Sequence, residues 1–174
     1  MEKLAMSALN RLSVDEFRKT GKLPLILVLD DIRSGLNVGS VFRTADAFAV
    51  EKIILCGITS RPPHREILKT ALGSTESVAW EYSESAPEAV LGLTGEGYEV
   101  LAIEQTTDSI MLPDFLPSTE RKYAFVLGNE VEGVSAEVLQ NCRGALEIPQ
   151  YGTKHSLNVS VAAGNAVWDF VRKI

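Results

Sequence analysis

Histidine and cysteine are scarce in this sequence, which contains two residues of each. His64, His155, Cys56 and Cys142 lie far apart and form none of the short spacings of a zinc site. Cys56 lies in an apolar run and Cys142 near the end of a helical pattern, which favours buried reduced thiols over a disulfide. The sequence therefore predicts no metal site and no disulfide.

Long hydrophobic runs are also missing. No stretch approaches about 18 uninterrupted apolar residues, the length that suggests a membrane-spanning helix. The N-terminal "MEKLAMSALNRLSVDEF" has no apolar core followed by a small-residue cleavage site. Hydrophobic residues make up 45% and charged residues 23% of the sequence, as in globular proteins. We therefore expect a packed, cytoplasmic protein with no membrane partner.

The sequence has no excess of positive charge, because its formal net charge is -6 and its pI is about 5.0. This balance argues against a protein that binds nucleic acid through charge alone. An RNA partner would have to meet a local basic patch, and "RPPHREILK" (61–69) is one candidate, although it can equally be a solvated charged face. The predicted RNA contacts in these basic segments are Arg61, Arg65 and Lys69, with Arg18, Lys19 and Lys22 near the N-terminus.

What the sequence does have is a regular alternation of short apolar runs and helical patterns. "LPLILVLD" (23–30) is a continuous apolar run of strand length, and "NVGSVFRTADAFAV" (37–50) has helical spacing. The strand pattern recurs in "KIILCG", "SVAWEY", "YEVLAIE", "YAFVLG" and "ALEIP", and the helical pattern in "REILKTALG", "SAPEAVLGLTGEG", "SAEVLQNC" and residues 157–174. About six strands alternating with helices predict a single-domain α/β fold with a mostly parallel sheet flanked by helices.

The ends of this pattern define the predicted domain. Residues 1–22 are predicted to form a short helical extension, in which Ser13 and Glu16 have the spacing of a capping box. Residues 23–174 are predicted to form the domain itself. Residues 106–122 lack clear periodicity, and we expect a long loop there, of the kind that is often functional.

The glycine signatures of common nucleotide-binding sites are absent. "GLTGEG" and "GNEVEG" do not have the G-x-G-x-x-G spacing, which argues against a dinucleotide-binding dehydrogenase. "YGTKHS" lacks the upstream glycine of a phosphate-binding P-loop. A serine hydrolase is also disfavoured, because Ser156 and His155 are adjacent and no G-x-S-x-G turn is present.

Polar residues instead follow three of the predicted strands. Ligands of open α/β sheets bind outside the carboxyl ends of the strands, so these loops are the place to expect a site. The three segments are "NVGSVFRTADAF", "FVLGNEVEGVS" and "IPQYGTKHSLNVSVAAGNAVWDF". Taken together and in this order, they resemble the SpoU-type (TrmH-like) branch of the SPOUT superfamily, whose members are AdoMet-dependent RNA 2′-O-ribose methyltransferases.

The resemblance implies a fold, a reaction and a set of site residues. The implied fold is an α/β sheet with a deep C-terminal trefoil knot, and the implied assembly is a homodimer. The implied reaction is methyl transfer from S-adenosyl-L-methionine (AdoMet) to a ribose 2′-hydroxyl of tRNA or rRNA. The implied catalytic residues are Asn37, Arg43, Glu130, Ser156 and Asn158. The implied cofactor contacts are Glu104, Gln105, Leu127, Gly128, Asn129, Ile148, Gln150, Gly152, Ser156 and Leu157, with Lys154 as a further RNA contact.

Elementary chemistry suggests roles for these side chains. Arg43 is protonated at neutral pH, so we expect it to stabilise the developing alkoxide or a phosphate rather than act as a base. Glu130 could hold that guanidinium or a nearby amide in place, while Asn37, Ser156 and Asn158 offer hydrogen bonds to ribose or phosphate. The alternatives are structural: the asparagines and Ser156 could cap helices, and Glu130 could be a surface acid.

Two further questions stay open at this level. A non-catalytic module that binds AdoMet or RNA would have the same fold, although the complete polar set argues for an enzyme. The last helix is apolar or small nearly all round, which predicts a subunit interface on its second face. Trp168 and Phe170 could anchor that interface or belong to the core.

Overall fold

The order of helices and strands follows the sequence pattern, with three short additions. A computed structural model of the chain describes residues 1, 3–5 and 11–174. The strands are β1 Leu23–Asp30, β2 Val50–Cys56, β3 Trp80–Ser83, β4 Tyr98–Ile103, β5 Ile110–Met111, β6 Lys122–Leu127 and β7 Gly144–Glu147. The helices are α1 Val14–Lys19, α2 Gly35–Ala47, α3 Arg65–Ala71, α4 Ser74–Ser77, α5 Ala86–Gly95, α6 Ala136–Asn141 and α7 Val159–Val171.

The seven strands of the described residues form one sheet in the order β3-β2-β1-β6-β4-β7-β5. Every pair of neighbouring strands is parallel, which confirms the predicted single α/β domain with a parallel sheet. Each strand before β7 is therefore followed by a crossover to the amino end of the next strand, and α-helices supply most of these crossovers.

The sheet is covered on both faces, as its continuous apolar strands predict. Alternate residues of β1 point to opposite sides: Leu25, Leu27 and Leu29 belong to one apolar cluster, and Ile26 and Val28 to the other. The first cluster includes buried residues of α2, α3 and α7. The second includes buried residues of α5 and α6. The domain thus has three layers, with the sheet in the middle.

The additions are segments that are too short to carry a periodic signal. β5 and the 3-10 turn at Leu112–Asp114 lie within residues 106–122, which were predicted as a loop. α4 occupies residues 74–77, so the strand predicted at "SVAWEY" begins only at Trp80. The predicted Ser13 capping box is present at α1. The rest of the predicted helical extension includes residues 2 and 6–10, which lie outside the described residues.

The topology brings four strand ends together. β1, β6, β4 and β7 are consecutive neighbours in the sheet, and all point the same way. The loops that leave their carboxyl ends are 31–34, 128–135, 104–109 and 148–158. These loops contain most of the predicted site residues. No helix in the part of the chain that the structure describes is long and apolar enough to cross a membrane.

Candidate active site

The carboxylate of Glu130 joins the loop after β6 to the start of α2. Its Oε2 accepts a hydrogen bond from the backbone N–H of Arg33 at 2.9 Å. Its Oε1 accepts from the backbone N–H of Ser34 at 3.1 Å and from the side-chain amide of Asn37 at 2.9 Å. Of the two roles expected for Glu130, holding a guanidinium or holding an amide, the structure places it in the second.

These hydrogen bonds also fix the charge of Glu130. Partial burial by itself would raise the pKa of this carboxyl, but the hydrogen bonds from Arg33, Asn37 and Ser34 outweigh that effect and lower the pKa below its usual value. Glu130 is therefore an ionised acceptor at neutral pH. A carboxylate already engaged by three donors is suited to holding neighbouring groups rather than to taking up a proton.

Asn37 connects this carboxylate to the last helix. While its Nδ2 donates to Glu130, its Oδ1 accepts from Nδ2 of Asn158 at 3.1 Å. Asn158 is the N-cap of α7, and its Oδ1 accepts from the backbone N–H of Ser160 at 2.9 Å. The capping alternative is thus correct for Asn158, which also reaches Asn37. Asn37 is not a cap, because the side chain of Ser34 caps α2.

The loop after β6 is a small closed hairpin. The backbone N–H of Asn129 donates to Gly133 O at 3.0 Å, and Gly133 N–H donates to Asn129 O at 2.9 Å. A Cβ at Gly128 would overlap the backbone of Gly133 and Val134, so this position requires glycine. The side chain of Asn129 stabilises the turn of this hairpin, because its Oδ1 accepts a hydrogen bond from the backbone N–H of Val131 at 2.8 Å.

The side chain of Asn129 also fixes the hairpin to the end of β1. Its Nδ2 donates to the backbone carbonyl of Asp31 at 2.7 Å. Asp31 has a φ of 53°, a left-handed conformation that aspartate tolerates better than most residues. Its Oδ1 accepts from Ile58 N–H at 2.9 Å, which ties in the loop after β2. Asp31 is a positioning residue that we did not predict, although the pair "DD" at the carboxyl end of a buried strand was a visible signal.

A cavity of about 720 Å³ opens beside this network. Its lining includes the predicted site residues Glu104, Gln105, Leu127, Gly128, Asn129, Glu130, Ile148, Gln150 and Leu157. Ser156 and Asn158 also line it, and Asn158 brings the cavity next to the Asn37 contact. The loops after β4, β6 and β7 therefore meet around one space, and the first of the three predicted segments, residues 37–48, does not line it.

A second cavity of similar volume lies on the other side of the 148–158 segment. Gly152 and Lys154 line this second cavity with Tyr151, Trp168 and Asp169. The two cavities share Ile148, Gln150, Ser156, Leu157 and Asn158. Gly152 therefore lines the second cavity and not the first, where the other predicted cofactor contacts lie.

Arg43 is also separated from the first cavity. It is exposed on α2 and lines a smaller cleft of about 480 Å³ between α2 and α3. Lys69 of α3 lines the same cleft, together with the hydroxyl groups of Ser40, Thr44 and Thr70. The structure thus brings Arg43 next to a predicted RNA-contact residue rather than next to Asn37, Glu130 and Asn158.

The other predicted RNA contacts lie on the surface. Arg61 and Arg65 are exposed, and the guanidinium of Arg61 stacks on the ring of Tyr82 with its Cζ 4.0 Å from the ring centroid. Lys154 is exposed as well. The described residues contain no group of three or more histidine, cysteine or acidic side chains placed to hold a metal ion.

Both cysteines are free thiols, as predicted, and neither is expected to be reactive. Cys56 is buried and Cys142 half-buried. Burial, with a smaller contribution from Asp30, raises the pKa of Cys56 to about 12 and that of Cys142 to about 11. Neither thiol forms the reactive thiolate at neutral pH.

Comparison with known proteins identifies the family. Residues 24–168 match the model of the SpoU rRNA Methylase family, and the chain belongs to that family. The 23S rRNA (guanosine-2′-O-)-methyltransferase RlmB of Neisseria meningitidis is 30% identical over 150 residues, which cover 86% of this chain and 59% of that protein. The chain therefore spans about three fifths of the length of this relative.

Two solved structures have the same fold. An AdoMet-bound rRNA methyltransferase from Sinorhizobium meliloti matches with a TM-score of 0.80 and 25% identity, over 90% of this chain and 59% of that chain. A structure described as giving insights into 2-OH methylation of C/U34 on tRNA matches with a TM-score of 0.76 and 26% identity. That match covers 87% of this chain and 97% of the other, so the two chains are similar in length.

Proposed function

We propose that this protein is an RNA 2′-O-ribose methyltransferase that uses AdoMet as the methyl donor and tRNA or rRNA as the substrate. The observation that carries the proposal is the contact from Glu130 through Asn37 to Asn158, which joins the hairpin after β6, α2 and the start of α7 beside one cavity. Family membership supports the same reaction. The RlmB relative is named for rRNA and the similar-sized structural relative for tRNA, so both substrates belong to the proposal.

The cavity suits AdoMet in size and in charge. Its volume of about 720 Å³ lies within the range of small-molecule sites. Leu127, Ile148 and Leu157 supply apolar surface, while Glu104, Glu130 and Glu132 supply carboxylates. AdoMet carries a positive sulfonium, the source of the transferred methyl group, and an acidic lining favours a cation. The same lining would repel the diphosphate of a dinucleotide, which weakens the dehydrogenase alternative.

The polar residues of the chain would hold the ribose in place for the reaction. Positioning a hydroxyl in line with the methyl group at about 3 Å can contribute roughly 7 to 11 kcal/mol of the rate enhancement. Asn158 and Ser156 lie at the edge of the cavity with exposed side chains that can hydrogen-bond ribose or phosphate. Glu130 and Asn37 keep Asn158 in its place.

Arg43 has a different position in this proposal. It lines a cleft shared with Lys69, so its guanidinium is placed to receive a backbone phosphate or the developing alkoxide. Arg43 lies outside the first cavity. It can therefore act together with Glu130 and Asn158 only if bound RNA or a second subunit bridges the two places. A homodimer would meet this need.

The surface around Trp168 supports such a homodimer. Trp168 is 56% exposed on α7, while Phe170 is in the core at 1% exposure, so Phe170 is not an interface anchor. Val161 is 50% exposed on the same helix. The ring of Trp168 lies 5.9 Å from that of Phe48, which lines the Arg43 cleft. A second copy that covers Trp168 would therefore bring its own residues close to Arg43.

The RNA surface in this proposal extends from the Arg43 cleft along α3. Lys69 and Arg65 lie on α3, and Arg61 lies on the loop before it. Stacking on Tyr82 holds the Arg61 guanidinium in a fixed orientation, which lowers the entropy lost when it binds a phosphate. Arg18, Lys19 and Lys22 would extend this surface, and Lys154 would contact RNA near the cavity.

Three finer features belong to the same proposal. Residues 23–174 form the methyltransferase domain and residues 1–22 its extension. The C-terminal segment forms a trefoil knot, which is supported by Lys173 Nζ donating to the carbonyls of Leu112 at 2.7 Å and Pro113 at 3.1 Å, in the segment under which the chain end would pass. The protein acts in the cytoplasm, where its RNA substrates are.

The proposal is tested by labelled-methyl transfer from AdoMet to total RNA from a strain that lacks this protein. We expect label in RNA, and nucleoside analysis should locate it on a ribose 2′-oxygen of tRNA or rRNA. AdoMet binding measured by calorimetry without any transfer to RNA would instead support the non-catalytic module. Binding of NAD in place of AdoMet would contradict both.

A further inference from the structure

We propose that Glu104 is a positioning residue, whose carboxylate sets the hairpin at 128–135 and thereby holds Glu130 at the start of α2. This inference rests on the proposed function, because it assigns Glu104 to the same site. It differs from the cofactor contact that the family resemblance implies. The observation behind it is that both carboxylate oxygens of Glu104 are directed to backbone N–H groups.

Glu104 follows directly after β4, the neighbour of β6 in the sheet. Its Oε1 accepts a hydrogen bond from Gln105 N–H at 2.9 Å. Its Oε2 accepts from Val134 N–H at 3.0 Å, across a sequence separation of 30 residues. The carboxylate thus bridges the loop after β4 and the returning arm of the hairpin after β6.

Gly133 of the hairpin lies directly against the carboxylate of Glu104. Its φ is 71°, which favours glycine, and a Cβ built there would overlap the Glu104 carboxylate. Gly133 also closes the hairpin through its two backbone hydrogen bonds with Asn129. Glu104 therefore packs against the closing pair of the hairpin and not merely against its surface.

Two other side chains hold the hairpin, each at a different point. Asn129 ties the outgoing arm to Asp31 O at 2.7 Å. Asp30, a buried residue at the end of β1, accepts from Ser135 N–H at 3.2 Å. Both of these anchors come from the β1 side, whereas Glu104 supplies the anchor from the β4 side. Without it, the side-chain hydrogen bonds described for the hairpin come from the β1 side alone.

Glu130 lies at the tip of the hairpin, so its position depends on how the hairpin is held. Its carboxylate meets three donors around the start of α2, all between 2.9 and 3.1 Å. Hydrogen bonds weaken steeply when their angles and distances change, so a small displacement of the hairpin would break this alignment. Glu104 would then act on catalysis through Glu130 and Asn37 without touching the substrate.

A double-mutant cycle separates this role from direct cofactor contact. The four proteins are the wild type, Glu104→Ala, Glu130→Ala and the double variant, compared by kcat at saturating AdoMet and RNA. We expect Glu104→Ala to lower kcat about tenfold in the wild type. In the Glu130→Ala background it should change kcat less than about twofold, because the residue through which it acts is already gone.

Additive effects in this cycle would overturn the proposal. So would a Glu104→Ala variant that keeps its kcat and only weakens AdoMet binding, since that result describes a cofactor contact. Glu104→Gln keeps one oxygen for the two N–H donors, so its kcat should lie between those of the wild type and the alanine variant. If Glu104→Ala does not fold, Glu104→Gln takes its place in the double-mutant cycle. Glu137→Ala removes an exposed carboxylate of α6 and should leave kcat unchanged.

The same four proteins also give a cycle in unfolding free energy, which does not depend on methyl transfer. A wild type that transfers no methyl group to any RNA would overturn the proposed function, and the stability cycle would still test the positioning role. Non-additive stabilities are expected if Glu104 and Glu130 act through one hairpin. Additive stabilities would reject that link.

Discussion

The side-chain amide of Asn158 donates a hydrogen bond to Oδ1 of Asn37 at 3.1 Å, across a separation of 121 residues. Asn37 in turn donates to Glu130, which is 93 residues away from it in the chain. Three short polar side chains thus fix the relative positions of α2, the hairpin after β6 and the start of α7. Predictions about this protein can be tied to specific members of that arrangement.

Replacing Arg43 by alanine should lower the rate of methyl transfer by more than about 100-fold, because it removes the cation placed for phosphate or alkoxide. AdoMet affinity should change little, since Arg43 lies outside the first cavity. Transfer assays and calorimetry measure the two quantities. Arg121→Ala removes another exposed arginine, ion-paired at the surface with Glu99, and should leave the rate unchanged. An Arg43 variant with most of its rate would remove this residue from the mechanism.

Glu130→Gln should destabilise the protein in a pH-dependent way. The lowered pKa of Glu130 means that its stabilising effect is complete above the ordinary carboxyl value of 4.5 and is lost as the pH falls through the lower folded-state value. Since Glu130 is partly exposed, we expect a difference of about 1 kcal/mol at pH 7. Urea unfolding at pH 7 and below pH 4 measures it. A difference that does not shrink in acid would argue against an ionised acceptor.

Gly128→Ala should disrupt the hairpin, because its Cβ would overlap the backbone of Gly133 and Val134. We expect AdoMet affinity to fall at least about tenfold and the thermal midpoint of unfolding to drop. The reason is that moving the backbone of Gly133 and Val134 aside would strain the hairpin. Gly92→Ala is the matched control. Gly92 lies inside α5 with open space around its Cβ position, so alanine there should stabilise the protein by up to about 1 kcal/mol.

Charge reversal at Arg61 and Arg65 should weaken RNA binding and flatten its dependence on salt. Each lost phosphate contact should reduce the slope of log affinity against log salt by about one unit. Binding isotherms at several salt concentrations provide the slope. Lys122→Glu makes the same change of charge as either single reversal, at the amino end of β6, and should have little effect. Equal effects at both places would mean that only net charge matters.

Trp168→Ala should shift the protein from dimer to monomer, because it removes the largest exposed apolar group of α7. Light scattering over a range of concentrations gives the association state. Leu91 is 55% exposed on α5, nearly the same as Trp168 at 56%, but lies on the other face of the sheet. Leu91→Ala should therefore leave the dimer intact. A wild type that stays monomeric at micromolar concentration would reject the interface.

Much of the fold could be predicted because buried strands and amphipathic helices leave a strong pattern. "LPLILVLD" predicts β1 with its observed bounds, since both faces of this strand are buried. The failures were at short segments such as β5 and α4, with two and four residues. Elements of this length are formed by their tertiary contacts, and their residues carry no period of their own.

The candidate site was predictable in its side chains but not in its contacts. Asn37, Glu130 and Asn158 were identified by their places after strands and by the family resemblance, and they meet in the structure. The partners of Glu130 include the backbone N–H groups of Arg33 and Ser34. Backbone donors are present at every residue except proline, so the sequence gives no sign of which ones a carboxylate will meet. The cleft that Arg43 shares with Lys69 was missed for a related reason, since it depends on how α2 packs against α3.

The central place of β1 in the sheet affects how the chain reaches this structure. β1 lies between β2 and β6, and its Leu25 is paired with Tyr123. A ribosome delivers about 5 to 20 residues per second, so β1 emerges seconds before the strand that completes its second side. Pairings this distant along the chain are slow to form, because a long loop must close first. The hydrogen bond from Asn158 to Asn37 comes later still, so the site assembles only after residue 158 has been synthesised.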